Sequence, residues 1–244
     1  MNTYIAIDLE TTGMRPKEDR IIEIGAIKVV EGKVQERFET FVNPQMSVPV
    51  RIQELTGITT KMAKSGLLIE EAIPKLLEFC GDAPLLAHNI MFDYSFIKHK
   101  AVNLGMDFER EGIDTLAIAR KTLCDLESRR LAALCKYYNI DSGRSHRASD
   151  DAVSAHLLYQ NLKADFENQA PELFAATQLI HRVKKQGPIT KKQKDYLNDL
   201  LKYHKIVIDV EIDSLTKNEA SRLIDGIILK NGRIMRRRNE EYKS

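Results

Sequence analysis

Three strand-like segments follow one another at the start of the chain, before any helical pattern begins. Thr3–Glu10 is a short Ile-rich run, followed by Arg20–Val30 and Lys33–Val42 with a tight turn at Glu31 and Gly32 between them. Apolar runs of this length, bounded by turn residues, are typical of β-strands. We therefore predict that the chain opens with an antiparallel meander of three strands.

Short strands alternate with helices beyond this meander. Pro84–Ala87 and Gly112–Asp114 have the pattern of buried strands. Helices are predicted at Ile69–Cys80, Phe92–Leu104, Leu116–Thr122, Ser128–Tyr138, Ser149–Phe166 and Pro171–Val183. This order predicts an α/β fold, in which a mixed sheet of three antiparallel strands and then parallel strands is flanked by helices.

The C-terminal part of the chain has a pattern of its own. Residues 184–189 form a Lys-, Gly- and Pro-containing stretch that predicts a linker after a main domain at 1–183. Residues 190–230 are predicted to form a small helical module of unknown function, and 231–244 a basic tail. Two short helices bury little apolar surface, so this module has only a marginal core.

Candidate helix starts define the two helices of this module. Thr190 is a suitable N-cap for a helix that runs to about His204, and Thr216 with Glu219 three residues later forms a capping box. The formal net charge of the chain is +2, but acidic residues prevail in 1–180 and basic residues in 181–244. Acidic residues can hold cations, and basic ones can attract a polyanion.

Composition also predicts the compartment. Cys80, Cys124 and Cys135 lack the spacing of a disulfide framework or a zinc site, so we expect reduced packing residues. The chain contains no apolar run long enough to span a bilayer, and its start does not resemble a signal peptide. A cytoplasmic protein without membrane contact is expected.

Two carboxylates, Asp8 and Glu10, end the first strand. Residues two apart on a strand point to the same face, so these side chains project together from an otherwise apolar segment. Burying two like charges is costly unless a counter-charge is present, and hard oxygen ligands favour Mg²⁺ or Mn²⁺. The alternative is a strand end that lies open to solvent.

Two further acids and a histidine occur where strands give way to helices. Asp93 follows a buried strand, and Asp151 lies in the first turn of the helix after SHRAS. Either could instead be a carboxylate stabilised by its helix terminus. His146 lies five residues before Asp151 and can reach the space above the acids as a base for water, although it could also be a surface histidine.

The runs IDLETTG, AHNIMFDYSF and HRASDD resemble the three motifs of the DnaQ-like, or DEDDh, exonucleases, a family that includes the proofreading epsilon subunit of bacterial DNA polymerase III. ELTGIT is similar to a further segment of that family, near the terminal nucleotide of the substrate. The resemblance spans about residues 1–165. It implies a ribonuclease H-like fold and hydrolysis with two divalent cations, Mg²⁺ or Mn²⁺.

The resemblance also implies a role for individual residues. Asp8, Glu10, Asp93 and Asp151 would be the metal-binding carboxylates, and His146 the general base. Further residues would bind substrate: Leu9, Thr11 and Thr12 at the last base and sugar, His88 and Asn89 near a phosphate, and Phe92 against a base. Packing is the alternative for Leu9 and Phe92, and a plain strand end for the two threonines.

The function that this resemblance implies is a 3′→5′ exonuclease that shortens single-stranded DNA to nucleoside 5′-monophosphates, in repair or proofreading. Two alternatives remain open. One is an RNA 3′ exonuclease for tRNA trimming or oligoribonucleotide turnover, since no residue in the sequence decides whether a 2′-hydroxyl is accepted. The other is a non-catalytic module that binds nucleic acid or a DNA polymerase.

Overall fold

The computed structural model describes residues 2–143 and 146–234, and the chain divides into two compact units, Met1–Lys185 and Gln186–Ser244. The first unit contains the strands β1 (Tyr4–Thr11), β2 (Ile21–Val30), β3 (Lys33–Phe41), β4 (Leu85–Ala87), β5 (Glu111–Asp114) and β6 (Thr177–Gln178). Its helices are α1 (Val50–Thr56), α2 (Thr60–Lys64), α3 (Ile69–Cys80), α4 (Ile90–Leu104), α5 (Thr115–Thr122), α6 (Leu131–Tyr137) and α7 (Ala148–Phe166).

The six strands form one sheet in the order β3-β2-β1-β4-β5-β6. Strands β1, β2 and β3 pair antiparallel through short connections, whereas β4 and β5 run parallel to β1. The predicted mixed sheet is therefore confirmed, with the opening meander on one side and the parallel strands on the other. Strand β1 lies in the middle, between β2 and β4.

Both faces of β1 are buried, because helices cover the sheet on two sides. Ile5, Ile7 and Leu9 belong to an apolar cluster with residues of α3 and α4. Tyr4 and Ala6, on the opposite face, pack with residues of α5, α6 and α7. A polar side chain on either face of β1 is therefore removed from bulk water unless it lies at the end of the strand.

The helix predicted at Pro171–Val183 is wrong. Pro171 begins a single 3₁₀ turn that ends at Phe174, a buried ring packed on Tyr159. The chain then extends, and β6 pairs antiparallel with β5, where Gly112 faces Thr177. A free strand edge satisfies backbone hydrogen bonds as well as a helix does, and here the edge of β5 prevails over helical periodicity.

The second unit contains α8 (Lys191–His204) and α9 (Lys217–Asn231). The predicted caps are confirmed: Thr190 accepts from the Gln193 amide, and Thr216 accepts from the Glu219 amide. Its buried apolar core consists of Leu197, Leu200, Leu215, Ala220, Ile224 and Ile227. The arginines at 236–238 of the predicted basic tail lie outside the described residues. In the part of the chain that is described, no helix is long and apolar enough to cross a membrane.

Candidate active site

Strand β1 delivers the first two acids to the face of the sheet that α7 covers. Asp8 and Glu10 alternate with Leu9 and so share the face of Tyr4 and Ala6. Both acids are partly buried. A β-bulge between Glu10 and Thr11 ends the regular pairing with β2. The pair therefore lies where β1 leaves the sheet, which is also the end at which the parallel strand β4 gives way to α4.

Helix α4 brings the third acid to the same place. Asp93 lies in the first turn of α4 and is only 2% exposed. Its Oδ1 accepts a 3.0 Å hydrogen bond from the backbone amide of Leu9, the residue between the two acids of β1. This bond ties the start of α4 to the end of β1 and sets Asp93 beside Asp8.

Helix α7 supplies the fourth acid, Asp151, and the residues just before the helix supply His146. The amide of His146 donates a 2.9 Å hydrogen bond to Asp151 Oδ2, which closes the loop before the helix onto its first turn. His146 has a φ of 63° and an exposed side chain. Ligand atoms of Glu10, His146 and Asp151 lie within 4.8 Å of one another. The structure thus brings together the acids of β1 and α7 and the predicted base.

Burial, followed by the charge of nearby acidic side chains, makes the four acids reluctant to ionise. Burial raises the pKa of the Asp8 carboxyl well above its usual range, and Asp93, Asp151 and Glu10 raise it further. Burial followed by the charge of Asp151 raises the pKa of Glu10 to about 8, although Arg147 acts in the opposite direction. These acids occupy one small space without enough positive charge among the described side chains to neutralise them.

The other two acids follow the same direction. Burial raises the pKa of Asp93 well above its usual range, opposed by backbone amides that include that of Leu9. Burial also raises the pKa of Asp151, opposed by the amide and the imidazole of His146. A divalent cation would supply the missing charge, and a set of carboxylate oxygens suits Mg²⁺ or Mn²⁺. The residues present therefore fit a divalent metal site.

The stability of the metal-free protein should fall as the pH rises from about 7 to about 8.5. In this window Glu10 is ionised in the unfolded chain, where its carboxyl titrates near 4.5, but holds its proton in the folded protein up to a pKa of about 8. The folded state thus binds more protons, and the free energy of unfolding decreases with pH. Thermal denaturation of wild type and Glu10→Gln would measure this, with a flatter profile expected for the variant.

Two histidines do not interfere with that measurement. Burial lowers the pKa of His88 and His156, so both are neutral in this pH range, and their contribution to stability is lost only at lower pH, where they become charged. Millimolar Mn²⁺ should raise the melting temperature of wild type more than that of Glu10→Gln. Equal pH profiles for the two proteins, together with no response to Mn²⁺, would contradict the proposed electrostatics of the cluster.

The residues predicted to bind the terminal base and sugar border the end of β1. Leu9 and both threonines are nearly buried. Thr11 Oγ1 donates to the Gly13 carbonyl at 2.5 Å, and Thr12 Oγ1 accepts from the Arg20 amide at 2.9 Å. These hydroxyls organise the loop that follows β1, and a role in substrate binding stays a prediction.

The remaining predicted substrate residues are His88 and Asn89, between β4 and α4, and Phe92, in the first turn of α4. Both ring nitrogens of His88 are hydrogen bonded within the protein, to the Thr115 hydroxyl at 2.9 Å and to the Arg129 carbonyl at 2.8 Å. Asn89 is exposed at the N-cap of α4, with a φ of 81°. Phe92 is partly buried with its ring 5.0 Å from that of Phe96. Contacts of these residues with a phosphate or a base stay predictions.

One part of the site was missed by sequence reasoning. Glu23 stands in the apolar run of β2 and is 1% exposed. Its partner is Arg147, whose guanidinium approaches it to 2.6 Å. A signal was present, because a buried carboxylate requires a cation and Arg147 adjoins the candidate base. The pairing depends on a contact between distant segments, which sequence periodicity does not reveal.

Comparisons with known proteins identify the class. The sequence model of the RNase_T family, described as an exonuclease, matches residues 5–159. Since this segment is more than half of the chain, the protein belongs to this exonuclease family. The segment contains the four acids and the histidine. The resemblance to DnaQ-like exonucleases is thereby confirmed.

Two relatives are PolC-type DNA polymerases III. That of Caldanaerobacter subterraneus subsp. tengcongensis is 45% identical over 156 residues, which are 64% of this chain and 11% of the polymerase. That of Bacillus subtilis is 37% identical over 165 residues, which are 66% of this chain and 11% of the polymerase. The chain therefore spans about a tenth of the length of these relatives.

A solved structure similar to this chain is E. coli exonuclease I in complex with a dA16 oligonucleotide. It aligns with a TM-score of 0.59 at 20% identity, over 71% of this chain and 42% of exonuclease I. This similarity confirms the predicted ribonuclease H-like fold.

Proposed function

We propose that the chain is a DEDDh 3′→5′ exonuclease that hydrolyses single-stranded DNA to nucleoside 5′-monophosphates. The observation that carries this proposal is the meeting of Asp8, Glu10, Asp93 and Asp151 from three separate elements, with His146 beside two of them. Burial raises the pKa of all four acids, and the other three raise that of Asp8 further, which favours binding of cations over a purely structural role.

The chemistry follows from the donors and from the exposed imidazole. The four acids would hold two divalent cations, Mg²⁺ or Mn²⁺. These cations would lower the pKa of a bound water molecule and stabilise negative charge on the phosphate and on the leaving oxygen. His146 takes the proton of the attacking water as the water oxygen bonds to phosphorus. The bond from phosphorus to the 3′ oxygen breaks, and the released oxygen takes a proton from solvent water, which leaves a 5′-monophosphate and a new 3′-hydroxyl.

Substrate residues would come from the two loops around this site. Leu9, Thr11 and Thr12, around the end of β1, would contact the last base and sugar. Asn89, at the N-terminus of α4, offers a polar group to a phosphate, with His88 behind it and Phe92 in the next turn. Both ring nitrogens of His88 are engaged, so its part would be to hold this loop against Thr115 and Arg129.

DNA is proposed as the substrate because the relatives bear the names of DNA polymerases and the similar exonuclease I holds a DNA oligonucleotide. The biological setting would be repair or proofreading, with a DNA polymerase as a candidate partner. No described side chain identifies a contact to a 2′-hydroxyl, so the choice between DNA and RNA calls for a direct comparison.

The test uses matched single-stranded DNA and RNA of one sequence, incubated with the purified protein and Mn²⁺. A second DNA strand carries a blocked 3′ end. We expect 5′-labelled DNA to shorten stepwise with release of mononucleotides, and the blocked strand to resist. A ladder on RNA alone would move the function to RNA turnover, and binding without cleavage of either strand would favour the non-catalytic module.

A further inference from the structure

A buried ion pair links the sheet to the start of the helix that carries Asp151. Arg147 Nη2 and Nε lie 2.6 Å and 3.0 Å from Glu23 Oε1. The other carboxylate oxygen, Oε2, accepts a 3.0 Å hydrogen bond from the amide of Ala148, the first residue of α7. Glu23 thus holds both a side chain and the backbone at the start of this helix.

The sheet is shaped to receive this turn. Gly25, two residues along β2 from Glu23, faces the backbone of Ala148 and Ser149 so closely that a Cβ atom would overlap both residues. The helix start therefore lies directly on β2. Arg147 also reaches β3, where Glu39 lies 3.4 Å from Nη2 and the ring of Phe41 lies 5.4 Å from the guanidinium carbon.

Glu23 and Arg147 both lie next to residues of the candidate active site. Arg147 directly follows His146 in the chain, and Glu23 lies opposite Glu10 in the pairing of β1 with β2. His146 adopts a left-handed backbone conformation with φ 63°, which a non-glycine residue keeps only when its surroundings impose it.

We infer that Glu23 and Arg147 are positioning residues, which fix the loop and first turn of α7 so that His146 and Asp151 face the acids of β1. This inference rests on the proposed function, because it assigns the base and a metal ligand to the groups that are positioned. The competing explanation is an ion pair that stabilises the fold and has no bearing on the site.

The two explanations predict different effects when the ion pair is lost. A positioning role predicts changes at residues 146–151 and in kcat, whereas a purely structural role predicts a change in overall stability alone. Glu23→Gln and Arg147→Gln each break the ion pair. The double variant loses the same single ion pair as either single variant. Glu109→Gln is the matched control, because it breaks the Lys98–Glu109 ion pair in the same unit without touching the site. All proteins are compared below their melting temperatures, where circular dichroism shows them to be folded.

Two readouts are combined. In the first, hydrogen exchange of the metal-free protein is followed in peptides that cover 146–151, and both single variants should exchange faster there while Glu109→Gln matches wild type. In the second, kcat on single-stranded DNA with Mn²⁺ should fall roughly 100-fold in each single variant, as expected for a displacement near 1 Å, with KM nearly unchanged. The double variant should be no slower than the slower single variant.

The outcomes separate this inference from the proposed function. Wild-type turnover with unchanged kcat in Glu23→Gln and Arg147→Gln would overturn the positioning role and leave the exonuclease intact. If both variants exchange faster at 146–151 but the wild-type protein cleaves no strand, the anchoring of this segment by Glu23 and Arg147 stands and the exonuclease function is overturned. If Glu23→Gln does not fold, Arg147→Lys replaces it, since lysine keeps the charge but cannot make the paired hydrogen bonds.

Discussion

Asp8→Asn should abolish nuclease activity and, in the absence of metal, make the protein more stable than wild type. Asp8 lies among Asp93, Asp151 and Glu10, all of which raise its pKa. Asparagine keeps the shape of the side chain but cannot ionise, so folding no longer has to bury a carboxyl group whose raised pKa opposes its ordinary ionisation. The same change removes a cation ligand, and we expect a loss of turnover of at least about 1000-fold.

The pairing of these two effects makes the test specific. A substitution that merely damages the fold lowers activity and melting temperature together, whereas Asp8→Asn should move them in opposite directions. Asp107→Asn, the same change at an exposed position, serves as the control and should alter neither. Activity of Asp8→Asn within tenfold of wild type would contradict the assignment of Asp8 as a metal ligand.

His146→Ala should lower kcat strongly while KM stays close to the wild-type value. The His146 imidazole is exposed, and its backbone amide, which the substitution retains, makes the hydrogen bond to Asp151. The fold and the cation site should therefore survive. Loss of a general base in comparable enzymes costs about 100- to 10,000-fold, and this range is expected here.

Steady-state kinetics on a labelled single strand would measure that effect. His204→Ala, in the second unit, is the control and should leave both constants unchanged. An increase in KM with unaltered kcat would mean that His146 contributes to binding and not to proton transfer. Added imidazole should restore part of the lost rate, because the cavity left by the side chain is open to solvent.

The sequence predicted the sheet well where local pattern and tertiary contacts favour the same structure. The turn at Glu31 and Gly32 joins an Ile- and Val-rich run to a more polar strand, and the meander follows from this local pattern. The caps at Thr190 and Thr216 were equally local. Pro171–Val183 had helical spacing, but the pairing of Thr177 with Gly112 decided its structure, and such a pairing is invisible in a single segment.

Helices α1 and α2 were missed for a related reason. They span Val50–Thr56 and Thr60–Lys64 and are short. Each is defined by its ends: Gly57 closes α1 with a φ of 71°, and the Thr59 side chain caps the Met62 amide. Periodicity needs two or three turns to become visible, and these helices have fewer.

The acids of the candidate site could be predicted from the sequence, but the ion pair beside them could not. Asp8 and Glu10 share a face because strand geometry requires it, and α7 covers that face. Glu23, in contrast, belongs to β2, and its partner Arg147 lies at the far end of the domain sequence. A carboxylate in the apolar run of β2 needs a partner if it is buried, but only the folded chain shows that this partner is Arg147.

The most direct test of a metal-dependent exonuclease is a time course with a 5′-labelled single-stranded DNA and the purified wild-type protein. One reaction contains Mn²⁺, a second contains a chelator, and a third contains Mn²⁺ with Asp8→Asn. We expect a ladder that shortens from the 3′ end in the first reaction, and an intact strand in the other two. Equal shortening in all three, or an intact strand in all three, would contradict it.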